Sequence, residues 1–141
     1  MGTSSKATGT WSGSLKQGKG TMKPDHAPAA QFGVGTRFEG AEGSNPEEFI
    51  GAALAGCFSM ALSAELGKAD KEPKTIETKA DVTLVKNADG FAIESVALTS
   101  VADIPGIDNE QFQRIAQTTK ENCPVSKALA AINITLSAKL A

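Results

Sequence analysis

One apolar stretch decides the fold of this 141-residue chain, and it runs Asn45-Pro-Glu-Glu-Phe-Ile-Gly-Ala-Ala-Leu-Ala-Gly-Cys-Phe-Ser-Met-Ala-Leu62. Asn45 is suited to be a helix N-cap, and Pro46 fits the first helical position. Glu48 falls where a capping-box side chain turns back to the N-cap amide. From Phe49 to Leu66 the residues are apolar or small almost all the way round. This pattern predicts a helix that is buried on most of its faces.

A single sheet can cover only one face of such a helix, so its other faces need a partner surface. We therefore expect an obligate homodimer with this helix near its centre. Small residues in the helix would let two backbones approach closely, and they are Gly51, Ala52, Ala53, Ala55 and Gly56.

The remainder of the chain predicts strands and two more helices. Alternating or β-rich segments predict strands at residues 6–16, in a short stretch after the turn at residues 17–20, at Gln31 to Glu39, at Thr75–Lys86, at Phe91–Asp103 and from Ile132 to Leu140. A slip in phase predicts a bulge near Glu94–Ser95. Helices are expected from Ile107 to Asn122, with Asp108 as N-cap, and from Pro124. This order of elements is that of an α+β fold, in a single domain over residues 1–141.

The bulk composition excludes several classes of protein. A net charge of −2 argues against nucleic acid as a partner, because that needs a clustered basic field. One histidine (His26) and two cysteines leave an all-protein zinc site short of ligands, and we expect neither metal nor cofactor. No signal peptide is evident, and the uncharged stretch between Glu48 and Glu65 is expected to be too short to cross a membrane, which takes about 20 residues. We expect a cytoplasmic protein, where cysteines are usually reduced.

The two cysteines offer the clearest chemistry. Cys57 lies in the middle of the apolar stretch, and Cys123 stands immediately before Pro124, where a thiol can be held as the reactive thiolate. Taken alone, Cys57 is more often a small core hydrophobe than a nucleophile, and Cys123 is ambiguous. The functional interpretation depends on the two meeting in the fold.

A thiol peroxidase needs such a pair and also a cation that lowers the pKa of the attacking thiol. Arginine suits this role because its planar fork can hold two partners. Arg37 lies just upstream of the central helix, although a surface strand residue is the competing interpretation. Arg114 lies among polar helix residues and is expected to be a solvated charge.

A buried arginine needs a carboxylate, and Glu47 and Glu48 compete for that role. Glu48 already has a capping function, whereas Glu47 has none. Glu47 precedes Cys57 by ten residues, which is roughly 15 Å along a helix, so the two do not touch. We expect Arg37, or a partner subunit, to connect them.

At these residues the chain closely resembles the OsmC/Ohr family of osmotically inducible and organic-hydroperoxide-resistance proteins, and more nearly its OsmC branch. The matching segments are Gly18-Lys19-Gly20-Thr21, Thr36-Arg37-Phe38-Glu39-Gly40, Asn45-Pro46-Glu47-Glu48, Ala55-Gly56-Cys57-Phe58-Ser59-Met60-Ala61-Leu62, Ala80-Asp81-Val82, Val101–Gly106 and Cys123-Pro124-Val125-Ser126.

The resemblance implies an intertwined homodimer in which antiparallel sheets wrap around long central buried helices. It implies a peroxidase that prefers organic hydroperoxides, with Cys57 as the peroxidatic and Cys123 as the resolving cysteine of an intrachain disulfide. Arg37 matches the arginine that activates the thiolate, and Glu47 matches the carboxylate that holds this arginine. Proteins of this kind are typically recycled by dithiols, which are lipoyl-type in the better-known branch.

Two other functions stay open. The chain could be a non-catalytic, stress-induced binding protein, or a thiol redox sensor of the same fold. A thioredoxin-like oxidoreductase is disfavoured because no Cys-x-x-Cys occurs. For the peroxidase we expect apolar residues near the site to favour bulky peroxides, with Phe32, Phe38, Phe49, Leu54, Phe58 and Met60 as candidates.

Overall fold

The computed structural model describes residues 2–141, and the chain divides into two compact units. The first ends at Phe49, and the second runs from Ile50 to Ala141. Both contain an antiparallel strand pair and helical residues, in agreement with the predicted α+β class. That the whole chain forms a single domain stays a prediction.

The first unit is built on a small antiparallel sheet with strand order β1-β2-β3. Its elements are β1 (Ala7–Ser12), β2 (Lys19–Pro24), β3 (Ala30–Phe32), the short helix α1 (Val34–Phe38) and the start of α2 (Pro46–Lys68). Gly20 of β2 lies against the ring of Phe32 in β3, where a Cβ atom would come within 2.4 Å of the ring. The absence of a side chain at this position therefore lets the two strands pair.

The strand predicted from Gln31 to Glu39 is wrong beyond Phe32, because the following residues form α1 and carry Arg37 on a helix. A local hydrogen-bond pattern explains the difference. The Thr36 hydroxyl accepts the Gly33 N–H at 2.9 Å and donates to the Gly33 carbonyl at 3.1 Å. The Arg37 N–H donates to the same carbonyl at 3.1 Å and closes the helical turn.

The long helix α2 begins at Pro46, as predicted. The Asn45 side chain accepts the Glu48 N–H at 2.8 Å, which confirms Asn45 as the N-cap. The Glu48 carboxylate accepts the Ser44 hydroxyl at 2.7 Å, one residue before the amide that a capping box would use. Glu48 is therefore engaged at the helix start, although with a different partner from the predicted one.

The second unit holds a sheet of order β4-β5-β6 and two helices, with bounds β4 (Thr75–Asn87), β5 (Gly90–Asp103), α3 (Asn109–Asn122), α4 (Pro124–Ala128) and β6 (Asn133–Leu140). The predicted bulge is confirmed, because Thr83 pairs with Ser95 and Leu84 with Ile93, leaving Glu94 as the extra residue. The expectation of wholly antiparallel sheets is wrong, since β6 runs parallel to β5. A parallel return needs a long crossover, and α3 with α4 supplies it.

One face of α2 forms the core of the second unit. Four residues at helical spacing have no exposed surface, namely Leu54, Phe58, Leu62 and Leu66. Full burial of such a side chain stabilises a fold by roughly 1.5–3 kcal/mol. Beside them, the Ser59 hydroxyl donates to Thr78 of β4 at 2.8 Å, and Thr78 lies 3.0 Å from the Ser100 hydroxyl of β5. This hydroxyl chain fixes the position of the helix along the sheet.

The opposite face of α2 is exposed in the single chain. The predicted burial of this helix on most of its faces is therefore not observed in one chain alone. Met60 is 80% exposed, and Ala52, Ala53, Gly56 and Ala64 are exposed as well. The helix has 23 residues and, by length and mean hydropathy, could cross a membrane, which corrects the expectation that this stretch is too short. Its leucine and phenylalanine row is fully buried and forms part of the hydrophobic core of the second unit.

Candidate active site

The two cysteines lie in contact within the second unit. Cys57 is half-buried near the middle of α2, and Cys123 is 1% exposed between α3 and α4. Their sulfur atoms are 3.0 Å apart and both thiols are unbridged. A disulfide bond is about 2.05 Å long, so a shift of about 1 Å suffices to form one. Residues 66 positions apart are thus held ready for thiol–disulfide chemistry.

The backbone around Cys123 is fixed on both sides. Its N–H donates to the Thr119 carbonyl at 2.9 Å at the end of α3, and its carbonyl accepts the Lys127 N–H at 3.0 Å at the start of α4. Pro124 occupies the first position of α4, as the sequence predicts. The sulfur of Cys123 is therefore presented from a rigid corner between two helices.

The two thiols have opposite pKa shifts. Burial raises the pKa of the Cys57 thiol, and its hydrogen bond with Cys123 raises it further. Burial alone would also raise the pKa of Cys123, but the hydrogen bond from Cys57 and the backbone N–H and hydroxyl of Ser126 together lower it. Within the second unit, negative charge is therefore favoured on Cys123. A nearby cation would favour the thiolate of Cys57 by opposing this shift.

Arg37 and Glu47 meet in the first unit. The Arg37 Nε donates to both carboxylate oxygens of Glu47, at 3.1 and 3.2 Å, and Nη2 also contacts this carboxylate. Glu47 is 8% exposed, whereas a third of the Arg37 side chain remains open. This fork uses one edge of the guanidinium and leaves Nη1 for a second anion. Glu47, and not Glu48, is thus the partner of Arg37.

A cavity of about 210 Å³ opens beside Arg37 and is lined by Trp11, Leu15, Phe32, Gly33, Val34, Arg37 and Phe38. The rings of Trp11 and Phe32 pack at a centroid distance of 5.6 Å. Arg37 contributes the one charged side chain among these lining residues, and it also lies over the Phe38 ring at 5.6 Å. The cavity thus offers apolar walls with a guanidinium at one side.

Not every residue singled out from the sequence lies at these places. Phe32 and Phe38 line the cavity, but Leu54 and Phe58 are fully buried in the core of the second unit and cannot contact a ligand. Arg114 is paired with Glu110 on the surface of α3, as expected for a solvated charge. Leu54 and Phe58 were misplaced because an apolar helix gives no sequence signal for which of its faces is buried.

Sequence reasoning also missed one neighbour of the thiols and four lining residues of the cavity, namely Trp11, Leu15, Gly33 and Val34. Trp11 and Leu15 are distant in sequence from Arg37, and no motif connects them with it. Ser126 was quoted only as part of the Cys-Pro-Val-Ser motif. Its position three residues after Cys123 at a helix start was the available signal.

Two unbridged thiols in contact are chemically able to form a disulfide, and this arrangement occurs here in an α+β chain. Residues 39–137 match the family described as OsmC-like protein. Peroxiredoxin OsmC of Escherichia coli is 50% identical over 96% of this chain and 95% of its own. Organic hydroperoxide resistance protein OhrB of Bacillus subtilis is 34% identical over 64% of this chain and 65% of its own.

Solved structures show the same fold. The OsmC-like protein of Mycoplasma pneumoniae superposes with a TM-score of 0.78 over 99% of both chains, at 15% identity. The chain belongs to the OsmC family.

Proposed function

We propose that this protein is a thiol-dependent peroxidase that reduces organic hydroperoxides, with Cys57 as the peroxidatic and Cys123 as the resolving cysteine. The observation that supports this most is the 3.0 Å separation of two unbridged sulfur atoms. The half-identical relative named as a peroxiredoxin and the more distant one named for organic hydroperoxide resistance support a peroxidase-type role in hydroperoxide resistance.

The proposed cycle has three steps. The Cys57 thiolate attacks the distal oxygen of the hydroperoxide, the O–O bond breaks, and the alcohol leaves after taking up a proton. The Cys123 thiolate then attacks the sulfur of the Cys57 sulfenic acid, and the S–O bond breaks with release of water. An external dithiol reduces the resulting disulfide and is itself oxidised to a disulfide. We propose a lipoyl-type or similar dithiol for this last step.

Arg37 is the proposed source of the cation that Cys57 needs. Since burial raises the pKa of Cys57, the thiolate is disfavoured without a positive charge. Arg37 is always charged, and Glu47 fixes one edge of its guanidinium. The edge left open can bind the thiolate and the peroxide oxygen together. In this proposal either the same chain or the partner subunit supplies Arg37 and Glu47 to a given Cys57.

The cavity beside Arg37 supports an organic substrate. An apolar cavity of about 150 Å³ can hold a benzene ring, so about 210 Å³ accommodates an aryl or short alkyl tail. We propose that the peroxide group binds at the guanidinium while the tail lies among Trp11, Phe32 and Val34. Hydrogen peroxide has no tail to bury and is therefore proposed as the weaker substrate.

We propose further that the protein acts as a homodimer in the cytoplasm. The exposed apolar face of α2, with Met60 at its middle, is the surface that a second copy would cover. Burying an apolar face removes it from water and is favourable. A reducing compartment would return both cysteines to the thiol state between turnovers.

A redox sensor is the second candidate, because two unbridged sulfur atoms 3.0 Å apart could form a reversible disulfide without catalytic turnover. A sensor needs only slow, stoichiometric oxidation of the pair, without repeated turnover. The two functions differ in rate and in recycling. Catalytic consumption of peroxide with a dithiol present would exclude the sensor.

Stopped-flow oxidation by cumene hydroperoxide tests the peroxidase. We expect the wild-type protein to lose both thiols per chain and form an intramolecular disulfide. The variant Cys57→Ser should consume no peroxide, while Cys123→Ser should complete one turnover and then stop as a sulfenic acid that dimedone traps. Full activity of Cys57→Ser would remove the proposal, and single-turnover behaviour of the wild type with excess dithiol present would favour the sensor. Ser137→Ala, on an exposed strand position, is the control.

A further inference from the structure

Among the buried side-chain oxygen and nitrogen atoms of residues 2–141, Ser126 Oγ is the one without a hydrogen-bond partner. Ser126 is 7% exposed, and although it lines a surface hollow with Lys120 and Lys127, its Oγ is closed to solvent. Native proteins retain few buried hydroxyls of this kind, because an unmade hydrogen bond is costly. The atom therefore calls for an explanation.

The position of Ser126 supplies one. Cys123 is the N-cap of α4 and Ser126 lies three residues later at N3, so in a capping-box arrangement each side chain lies beside the backbone of the other residue. The Cys123 thiol makes no such cap hydrogen bond as it stands. A neutral thiol is a weak acceptor, whereas a thiolate is a strong one. The hydroxyl is without a partner in the neutral state, and a Cys123 thiolate would offer it an acceptor.

We propose that the Ser126 hydroxyl stabilises Cys123 as a thiolate, both when Cys123 attacks and when it is expelled. The proposal rests on the function proposed above. In resolution, the Cys123 thiolate attacks the Cys57 sulfenic sulfur, and hydroxide leaves and is protonated to water. In reduction, a thiolate of the external dithiol attacks one sulfur of the disulfide, and the other departs as thiolate.

This proposal predicts which sulfur the reductant attacks. Cys123 is 1% exposed and Cys57 is half-buried, so Cys57 is the more accessible sulfur. Attack at Cys57 expels Cys123, whose charge the Ser126 hydroxyl receives, and a stabilised thiolate leaves faster. The second thiol of the dithiol then attacks the mixed disulfide at the reductant's own sulfur. It releases Cys57 as a thiolate, and the two protons of the dithiol restore both thiols.

The expected size of the effect follows from thiol reactivity. If loss of the Ser126 hydroxyl raises the pKa of Cys123 by about one unit, the thiolate fraction falls about tenfold at pH values well below that pKa. The remaining thiolate would be more nucleophilic, which recovers roughly 0.4–0.5 of each logarithmic unit lost in the thiolate fraction. Resolution should therefore slow about three- to fourfold, while the first step at Cys57 keeps its rate.

The first experiment does not depend on peroxidase activity. In a Cys57→Ser background Cys123 is the remaining thiol, and its pKa is measured from the pH dependence of iodoacetamide alkylation. Addition of Ser126→Ala should raise this pKa by about one unit, Ser126→Thr should restore it, and the exposed control Ser137→Ala should leave it unchanged. An equal pKa in the Ala and Ser proteins would overturn the proposal even if the protein is a peroxidase.

The second experiment follows a single turnover of the protein with both cysteines. Ser126→Ala should prolong the sulfenic acid three- to fourfold, as measured by dimedone trapping, with the rate of its formation unchanged. Its reduced form should melt no lower than the wild type at pH 6, because the hydroxyl removed has no partner there. A merely structural Ser126 would give the opposite results, namely lower stability and an unchanged sulfenic acid lifetime. A mixed disulfide trapped on Cys123 would also contradict the proposal.

Discussion

Two residue pairs account for the chemistry that this chain offers, and the sequence predicts them unequally. Glu47 could be chosen over Glu48 because helix capping already occupies Glu48, and the structure pairs Glu47 with Arg37. The contact between Cys57 and Cys123 could not be predicted from the sequence, because no local rule brings together residues 66 positions apart. The functional interpretation only required that the two cysteines meet. The orphaned hydroxyl of Ser126 could not be foreseen, since burial is a tertiary property.

The cationic role of Arg37 can be tested through the pH dependence of peroxide attack. Arg37→Met leaves burial and the Cys123 hydrogen bond to act on Cys57, and both raise its pKa. The thiolate then forms only at higher pH, so the profile of the first step should move to alkaline pH. The rate at pH 7 should fall at least about tenfold, because the lower thiolate fraction and the lost contact of the guanidinium with the peroxide oxygen act together.

Arg37→Lys should recover little of this rate, because an ammonium cannot fork between a carboxylate and a sulfur. The control is Arg114→Met, which removes an exposed arginine from α3. Stopped-flow rates between pH 5 and 10 provide the measurement. If the pH–rate profile of Arg37→Met coincides with that of the wild type, Arg37 has only a structural role.

At the level of elements, long patterns could be predicted and short ones could not. The start of α2, the cap of α3 and the bulge at Glu94 follow from local residue chemistry, and all three are observed. Helix α1 has five residues, and a Thr36 hydroxyl bond at Gly33 decides it against a strand. The parallel direction of β6 depends on which edge of the sheet is open after α4. Neither the length of α1 nor the direction of β6 leaves a periodic signal in sequence.

Gly20 tests how the β2–β3 pair shapes the cavity beside Arg37. In Gly20→Ala the new methyl group would lie 2.4 Å from the Phe32 ring and 2.7 Å from the Thr10 carbonyl. Such overpacking costs roughly 1–3 kcal/mol. We expect a lower midpoint of urea unfolding and a larger loss of activity with cumene hydroperoxide than with hydrogen peroxide, because displaced Phe32 distorts the apolar wall.

The matched control for this substitution is Gly9→Ala on the neighbouring strand. A Cβ atom at Gly9 would meet no atom within 4 Å, so stability should stay within about 0.5 kcal/mol of the wild type. Equal losses of activity with the two peroxides would show that the cavity does not determine substrate preference. Unchanged stability of Gly20→Ala would contradict the packing argument.

At the scale of the whole molecule, the most informative feature for assembly is that residues 49–64 of α2 are uncharged on every face of the helix. In one chain the buried residues of α2 form a single row, and they are Glu47, Gly51, Leu54, Phe58, Leu62 and Leu66. In the most apolar window of the helix, 28% of the residues are buried. A helix this apolar on all sides is typical of a protein core. The sequence thus predicts a covering partner, but it cannot specify the geometry of that partner, because small residues permit many crossing angles.

The proposed homodimer is tested by placing a charge on the open face of α2. In Met60→Lys the ammonium would be buried between two copies, and a buried unpaired charge costs several kcal/mol. We expect the wild type to sediment at twice the 14.5 kDa chain mass, and Met60→Lys to sediment as a monomer or a much weaker dimer. Because the proposed site allows a partner to supply Arg37, the first step at Cys57 should slow in the monomer.

Ala88→Lys is the control for this charge, since it adds a lysine to the exposed β4–β5 turn. It should leave both mass and rate unchanged. If the wild type is monomeric at micromolar concentration, or Met60→Lys remains a tight dimer, α2 is not the interface. If Met60→Lys is monomeric and keeps its full rate at Cys57, each chain supplies its own Arg37 to its own thiol.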